Sequence, residues 1–301
     1  MKLSTMLNLF YVNTPDEKGY LNSLRKTYDV GFRTMDFVMC AMQRNATELN
    51  GDNWEKITYE IANEAAKLGV EFAQSHLPYP KANVRRKLAT DPGCELNEEF
   101  IATTERCIRI SGMLGVKWAV VHPVMRSVSA VADFEDSIKY NHEVYDKYLE
   151  LASSLGVGLA FENMADVDGK RRFGATSNEL IELIKDFNCP EYVGACWDFG
   201  HANRMVPDQT GMLKQIMPYL RATHVDDNVG KDDLHTIPYL GTIDWESVMT
   251  TLGQGGYDGA FNYEIKYTAA FPEPLKRESA VFAYHIGQYL VSLADDAAKN
   301  K

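Results

Sequence analysis

The chain has 301 residues and a formal net charge of -11, with 45% hydrophobic and 24% charged residues. This length accommodates one large α/β domain or two smaller ones, and the composition is that of a globular protein without a long disordered segment. The acidic charge disfavours a surface built to neutralise nucleic-acid phosphates, so a nucleic-acid partner is not expected.

Cysteine usage and hydrophobic runs indicate the compartment. The five cysteines include no C-x-x-C pair, which is typical of reduced thiols and predicts a cytoplasmic protein. No run approaches the roughly 18 to 20 apolar residues that span a bilayer, so no membrane association is expected. The N-terminal MKLSTMLNLFYV lacks a small-residue cleavage site and is interpreted as containing a first strand rather than a secretion signal.

Two kinds of segment alternate along the chain. Short apolar runs predict buried strands, and helical spacing of apolar residues between them predicts amphipathic helices. The predicted strands are MLNLFYV (6–12), VGFRTMDFV (30–38), VEFAQSH (70–76), KWAVVHP (117–123), VGLAFEN (157–163), YVGACWDFGH (192–201), RATHVDD (221–227) and GAFNYEI (259–265). The predicted helices are 53–69, with Asn53 as N-cap and Gly69 as stop, then 97–115, 132–156, 177–187, 212–220 and 273–293.

Eight strands alternating with helices, at about 38 residues per unit, predict a (β/α)8 TIM barrel. A doubly wound open sheet is the competing arrangement. However, no phosphate-binding turn of the G-x-G-x-x-G type follows an early strand. No linker-like composition interrupts the chain, so residues 1–301 are predicted to form a single domain.

Six consecutive predicted strands each end on a residue type that binds metal ions. These residues are His76, His122, Glu162, Asp198, His224 and Glu264. The carboxyl ends of all strands of a barrel meet at one mouth, so these residues are expected to share a pocket. Mixed imidazole and carboxylate donors suit zinc, manganese, cobalt or iron, whereas oxygen donors alone would indicate magnesium or calcium.

The two glutamates carry most of this prediction. Each interrupts or ends an apolar strand, where an unpaired carboxylate is costly to bury. A single histidine near a strand end is more often a structural residue held by hydrogen bonds. His76 and His122 are therefore candidates for an additional metal ion or for substrate binding rather than for the principal site.

Further candidates follow the sixth and seventh strands. Asp198 and His201 are three residues apart in WDFGH and can point the same way on a helical turn, although Asp198 can also cap that helix. In THVDDNVGKDDLH (223–235), Asp233 and His235 form a D-x-H pair that is a candidate for a second metal ion or for substrate contacts. The remaining acids of this segment, Asp226, Asp227 and Asp232, are interpreted as solvated surface residues.

Taken in order, these motifs resemble the xylose isomerase-like TIM barrel superfamily, which contains sugar isomerases and epimerases and the endonuclease IV type of DNA-repair enzyme. The resemblance covers nearly the whole chain, through SH at 75–76, HP, FEN, WDFGH, THVDD, GTIDW and YDGAFNYEI. It implies one divalent metal ion held by Glu162, Asp198, His224 and Glu264. It also implies that the two glutamates move a proton between adjacent substrate carbons, and that His201 contacts substrate.

The endonuclease branch is similar for a further reason. It holds three zinc ions with nine side chains, and the matching types here are His76, His122, Glu162, Asp198, His201, His224, Asp233, His235 and Glu264. This implies up to three metal ions and makes a zinc phosphodiesterase acting on abasic DNA the alternative. Against it, Leu234 stands where the endonucleases usually have arginine, the chain is acidic, and no DNA-facing basic loop cluster is evident beyond Lys170, Arg171 and Arg172.

Two further residues are candidates for substrate contacts. Known epimerases have an arginine several residues after the histidine of the seventh strand, whereas this sequence has Lys231, which is a candidate for a hydroxyl or phosphate contact. Trp197 is a candidate wall of a sugar pocket, although aromatic residues at strand ends more often belong to the core.

The sequence thus predicts a metal-dependent isomerase or epimerase of a small sugar, sugar phosphate or polyol, working through an enediolate with Glu162 and Glu264 as acid and base. A dehydratase or lyase of a keto-polyol, of the inosose or dehydroshikimate type, would share the abstraction of a proton beside a carbonyl. A barrel that binds ligands without turnover is a third alternative, which the intact glutamate pair disfavours. The resemblance also implies a homodimer or homotetramer.

Overall fold

Eight short parallel strands form the centre of the molecule. The computed structural model describes residues 1–11, 18–40, 42, 47–79, 98–125, 133–166, 169–206, 208–266 and 271–300. The strands are β1 (Lys2–Met6), β2 (Thr34–Val38), β3 (Glu71–His76), β4 (Trp118–Val121), β5 (Gly158–Glu162), β6 (Val193–Asp198), β7 (Leu220–His224) and β8 (Ala260–Tyr263). Their order in the sheet is β7-β6-β5-β4-β3-β2-β1-β8, so strands that are neighbours in the chain are neighbours in space.

The sheet closes on itself between β7 and β8. The backbone N–H of Val225 donates to the carbonyl of Asn262 at 2.8 Å, and the N–H of Glu264 donates to the carbonyl of Val225 at 3.0 Å. These bonds form a single parallel bridge between Val225, the residue after β7, and Tyr263, the last residue of β8. The predicted (β/α)8 TIM barrel is confirmed.

Helices connect the strands on the outside of the barrel. Those in the described part of the chain are α1 (Gly19–Val30), α2 (Trp54–Leu68), α3 (Glu98–Met113), α4 (Phe134–Ser154), α5 (Ser177–Phe187), α6 (Phe199–Met205), α7 (Thr210–Ile216), α8 (Trp245–Gly255) and α9 (Glu273–Lys299). Gly69 ends α2 in a left-handed conformation as predicted, with φ of 67°. None of these helices is long and apolar enough to cross a membrane.

The alternation of side chains along β6 explains how the site is placed. Val193, Ala195 and Trp197 belong to the large hydrophobic core, which packs the strands against the helices. Cys196 belongs to a small separate cluster with residues of three other strands. Because successive side chains of a strand point to opposite faces, Asp198 shares the inner face with Cys196. The side chain of Asp198, the last residue of β6, is therefore directed into the barrel.

A polar network fills the barrel beneath the carboxyl ends of the strands. Ser4 donates to the side-chain oxygen of Asn262 at 2.7 Å, and both Asn262 and Gln74 donate to Asp36 Oδ2 at 3.0 Å. All four side chains are buried. Hydrogen bonding among them offsets the cost of removing them from water.

The predicted first strand was wrong. The structure places β1 at Lys2–Met6, and the apolar residues that follow form a 3-10 helix at Leu7–Phe10. Leu7, Leu9 and Phe10 are buried in this turn, so their burial does not require an extended conformation. A short apolar run does not distinguish these two conformations by its pattern. Asn53 occupies the predicted cap of α2, but its side chain makes no capping hydrogen bond.

Candidate metal centre

Four of the predicted ligands meet at the mouth of the barrel, the end formed by the carboxyl ends of the strands. Glu162, Asp198, His224 and Glu264, here called the central cluster, each place one donor atom within 4.8 Å of the others. His224 Nδ1 lies 3.1 Å from Glu162 Oε1, 3.5 Å from Glu264 Oε2 and 3.9 Å from Asp198 Oδ2. The structure thus brings together residues from β5, β6, β7 and the end of β8.

The donor atoms of the central cluster lie close together, but several of them make no hydrogen bond within the described residues. Glu162 Oε2, Asp198 Oδ2 and both ring nitrogens of His224 are buried and make no hydrogen bond within the described residues. Buried polar atoms without partners are costly and uncommon. Four donors at about 2.1 Å from a tetrahedral ion would be separated by about 3.4 Å, close to the distances observed. The donor set therefore fits a divalent metal ion.

Asp198 is held by its neighbours so that one oxygen remains free. Its Oδ1 accepts a hydrogen bond from the backbone N–H of His201 at 2.6 Å, which caps α6. Asn163 links the ends of β5 and β6, since its amide donates to the carbonyl of Asp198 and its side-chain oxygen accepts from the N–H of Asp198. Capping and metal binding, which the sequence presented as alternatives for Asp198, are compatible because they use different oxygens.

A second group lies next to the central cluster and shares Glu162 with it. His76, His122 and Glu162 form this histidine cluster. Glu162 Oε2 lies 3.0 Å from His122 Nε2 and 3.4 Å from His76 Nε2. His76 Nδ1 lies 2.9 Å from the carbonyl of Leu77, and donation to that carbonyl leaves Nε2 as the acceptor facing Glu162. A bridging carboxylate of this kind can join two metal ions.

A third group, the loop cluster, consists of Asp226, Asp233 and His235. His235 Nε2 lies 3.0 Å from Asp233 Oδ2, and His235 Nδ1 lies 3.7 Å from Asp226 Oδ2. His201 Nε2 approaches Asp233 Oδ2 at 3.7 Å, which connects this cluster to α6. Eight of the nine residues predicted from the endonuclease pattern are therefore distributed over three adjacent groups, and the ninth, His201, lies beside Asp233.

The interpretation of Asp226 and Asp227 as solvated acids was wrong, because both side chains are fully buried. Asp226 belongs to the loop cluster, and both of its oxygens lack hydrogen-bond partners in the described part of the chain. Asp232 is exposed, as the sequence predicted. The chain folds back after β7, where the backbones of Asp227 and Thr236 exchange two hydrogen bonds, and this long-range pairing buries both acids.

Electrostatic effects distinguish the carboxylates of the mouth. Burial by itself would raise the pKa of Glu162, but the adjacent His224 and His122 hold that pKa well below its usual range. Burial opposes ionisation of Glu264 in the same way, and His224 and His235 bring its pKa down to about 2. Burial raises the pKa of Asp198 to about 7. The two glutamates are thus the ionised carboxylates of the central cluster at neutral pH.

Two residues that sequence reasoning did not single out support the site. Asp36 Oδ2 lies 3.8 Å from His224 Nε2, on the side of the ring away from the glutamates. Lys266, two residues after Glu264, places Nζ 2.5 Å from His235 Nε2. An acid inside the second predicted strand was the available signal for Asp36, because a buried acid in an apolar strand needs partners.

The two predicted substrate contacts lie away from this arrangement. Trp197 is fully buried in the core between the strands and the helices, and its Nε1 donates to Gln209 at 2.9 Å. Lys231 is exposed on the loop after β7, and its backbone carbonyl accepts from Arg204 Nε at 3.0 Å. The structure does not bring either side chain into the three clusters.

A closed parallel barrel with carboxylates and imidazoles at its mouth defines a class of proteins that place their site at the ends of the strands. The family model described as "Xylose isomerase-like TIM barrel" matches residues 24–284. The chain belongs to this family.

Two relatives share moderate sequence identity with this chain. A protein of Methanocaldococcus jannaschii, MJ1311, is 29% identical over 235 residues, which cover 73% of this chain and 76% of the relative. Inosose dehydratase 1 of Bacillus cereus is 22% identical over 255 residues, which cover 76% of this chain and 82% of the relative.

Solved structures of the same fold include sugar epimerases. L-ribulose 3-epimerase has a TM-score of 0.73 at 15% identity, covering 99% of this chain and 97% of that chain. A D-tagatose 3-epimerase-like protein has a TM-score of 0.72 at 19% identity, covering 98% and 99%. The IOLI protein, solved with a bound zinc atom, has a TM-score of 0.66 at 17% identity, covering 100% and 99%. Because the sequence identities are below 20%, the similarity to these structures establishes the fold alone.

Proposed function

We propose that this protein is a divalent-metal-dependent isomerase or epimerase of a small polyhydroxylated ketone, a sugar or polyol. The observation that carries the proposal is the pair Glu162 and Glu264, two buried carboxylates that lie 3.1 and 3.5 Å from His224 Nδ1. The epimerases and inosose dehydratases among the similar proteins support a substrate of this class.

The glutamate pair suits a reaction in which a proton leaves one face of a carbon and returns elsewhere. One carboxylate removes the proton from the carbon beside the carbonyl, which leaves an enediolate. The other carboxyl group, after taking up a proton, delivers it to the opposite face of the same carbon or to the adjacent carbon. The low pKa of both groups keeps a base available at neutral pH.

The ligands proposed for the principal metal ion are Glu162, Asp198, His224 and Glu264. The ion, when bound, would polarise the carbonyl oxygen of the substrate and stabilise the negative charge of the enediolate. Asn163 fixes the direction of Asp198, and the cap of α6 keeps its Oδ1 occupied, so that Oδ2 is the oxygen left for the ion. The chain thus orients its ligands through backbone contacts that do not depend on substrate.

His201 is proposed to contact a substrate hydroxyl. Its Nδ1 lies 2.8 Å from the carbonyl of Asn163, and donation to that carbonyl leaves Nε2 directed toward Asp233 at the rim of the pocket. A side chain that is anchored on one nitrogen and directs the other toward the rim can bind a polar group without reorientation.

A second candidate is a zinc phosphodiesterase acting on abasic DNA. The specific observation in its favour is that the three adjacent clusters contain eight of the nine predicted ligands, and that the ninth, His201, lies 3.7 Å from Asp233. The charge of the chain opposes it, and the basic segment at 170–172 is partly used internally, since Arg171 binds both Asp166 and Glu179.

The experiment that tests the proposed function is deuterium uptake from heavy water. Protein loaded with zinc, manganese or cobalt is incubated with a panel of ketoses, ketose phosphates and inososes, and mass spectrometry follows deuterium on carbon. We expect uptake with at least one compound and none with Glu264→Gln. Absence of uptake across the panel, together with cleavage of abasic DNA, would replace this proposal by the phosphodiesterase.

A further inference from the structure

The loop cluster differs from the other two groups because it already contains a cation. Lys266 follows β8, and its backbone N–H donates to the carbonyl of His235 at 3.0 Å. Its side chain then reaches back so that Nζ lies 2.5 Å from His235 Nε2. A backbone contact and a side-chain contact to the same histidine fix the ammonium group inside the cluster.

The hydrogen bonding of His235 shows which of its atoms the ammonium uses. His235 Nδ1 lies 2.8 Å from the carbonyl of Glu264, an atom that only accepts, so Nδ1 carries the proton. The other ring nitrogen, Nε2, faces both Lys266 Nζ at 2.5 Å and Asp233 Oδ2 at 3.0 Å. A metal ion bound by His235 would need Nε2, because Nδ1 is occupied, and the side chain of Lys266 already stands beside that atom.

The charges of the cluster fit a resident ammonium. Asp226 is fully buried without a hydrogen-bond partner in the described residues, and Asp233 contributes a second carboxylate. The Lys266 ammonium lies beside His235 and Asp233, and it balances part of the negative charge that a dication would otherwise balance.

We propose that the Lys266 ammonium occupies the third cation position of the mouth, so that this chain binds at most two divalent metal ions, in the central and histidine clusters. The inference rests on the metal site of the proposed function and extends it, because it assigns the loop cluster to the chain's own cation. An ammonium ion and a dication would repel one another at this position. Lys266 thus separates this chain from an enzyme with three metal ions.

The test is zinc stoichiometry, which requires no substrate. Wild-type protein and Lys266→Met are stripped with a chelator, reloaded with excess zinc, desalted and analysed for zinc per chain by inductively coupled plasma mass spectrometry. Methionine keeps an unbranched side chain of nearly the same length and removes its charge. We expect no more than two ions in the wild type and one additional ion in Lys266→Met.

Controls separate a local effect from a general change in charge. Lys214→Met removes the same charge from an exposed position on α7 and should bind as many ions as the wild type. The double variant Lys266→Met with Asp233→Asn should lose the additional ion. Circular dichroism verifies folding, and Lys266→Gln replaces the methionine variant should that variant fail to fold.

Two results would overturn the inference. The first is three zinc ions per chain in the wild type, and the second is an unchanged count in folded Lys266→Met and Lys266→Gln. The outcome is distinguishable from failure of the proposed function, because a protein without deuterium exchange on any ketose can still show the predicted difference in zinc content.

Discussion

Asp226 and Asp227 are neighbours in sequence and equally buried, yet they lie in two different regions. Asp227 faces an anchor region beneath the loop, where Oδ2 accepts from Trp245 Nε1 at 2.8 Å and from the N–H of Tyr239 at 3.0 Å. Its Oδ1 accepts from the N–H of Asn228 at 2.9 Å. Asp226 faces the mouth, and neither of its oxygens has a hydrogen-bond partner among the described residues.

The contrast separates carboxylates that hold the fold from carboxylates that hold ligands. In the anchor region the backbone approaches so closely that a Cβ on Gly241 would lie 2.2 Å from Asp227 Oδ1, so the glycine of GTIDW belongs to the same contact. In the mouth, a Cβ on Gly200 would lie 2.1 Å from Asp226 Oδ1. Both glycines allow close approach, but only the anchor acid uses it to satisfy donors.

The largest effect is expected in the mouth. Glu162→Gln removes a proposed base and a shared ligand of two clusters, and we expect turnover to fall by about 10,000-fold while the fold is retained. Steady-state kinetics on the substrate found by deuterium uptake, with circular dichroism for folding, measure this. Glu182→Gln is the matched control, because Glu182 lies exposed on α5 in a surface ion pair with Lys185. Comparable activity of the two variants would contradict the role of Glu162.

The next effect is expected in the anchor region. Asp227→Asn removes the charged acceptor of the Trp245 indole and of three backbone N–H groups, and we expect the free energy of unfolding to fall by about 3 kcal/mol. Urea titration followed by tryptophan fluorescence measures the change. Zinc content of the folded variant should equal that of the wild type. Loss of zinc without loss of stability would show that Asp227 belongs to the mouth and not to the anchor.

A smaller effect is expected for the dependence of zinc affinity on pH. Ligand atoms must be deprotonated to bind a metal ion, and burial raises the pKa of Asp198 to about 7. Protons therefore compete with zinc below that value, and we expect apparent zinc affinity to decrease at least about tenfold per pH unit below pH 7. Competition with a fluorescent chelator across this range measures it. An affinity independent of pH would contradict proton competition at Asp198.

The smallest effect is expected for Asp226→Asn in the metal-free protein. Burial and the neighbouring Asp198 and Asp233 raise the pKa of Asp226 well above its usual value, so this acid destabilises the fold at neutral pH. The variant replaces it by a neutral amide, and we expect a gain in stability of about 1 kcal/mol. This is opposite in sign to the expectation for Asp227→Asn, although the two substitutions are chemically identical. Equal destabilisation by both variants, measured by the same urea titration, would remove the distinction between mouth and anchor.

The barrel and its strand-end residues were predictable from the sequence because both depend on local patterns. Alternating apolar runs and helical spacing identify the units, and the residue that ends each run reaches the mouth by the geometry of the barrel. Asp198 illustrates this, because the alternation along β6 alone places it on the inner face. The 3-10 helix after β1 was missed because a short apolar run looks the same in either conformation.

The burial of Asp226 and the position of Lys266 were not predictable in this way. Both depend on where the loop after β7 returns, through the pairing of Asp227 with Thr236 and of Lys266 with His235. These contacts join residues 9 and 31 positions apart. A local acidic composition is typical of a surface loop, and only the long-range pairing turns it into the wall of a site.

The most direct measurement is the anomalous difference map of crystals soaked with zinc, recorded at the zinc absorption edge. The predicted result is a strong peak bounded by Glu162, Asp198, His224 and Glu264, with no peak between Asp233 and His235 while Lys266 is present. A map without a peak at the central cluster, or with zinc bound only outside the mouth, would contradict a metal-dependent function for this protein.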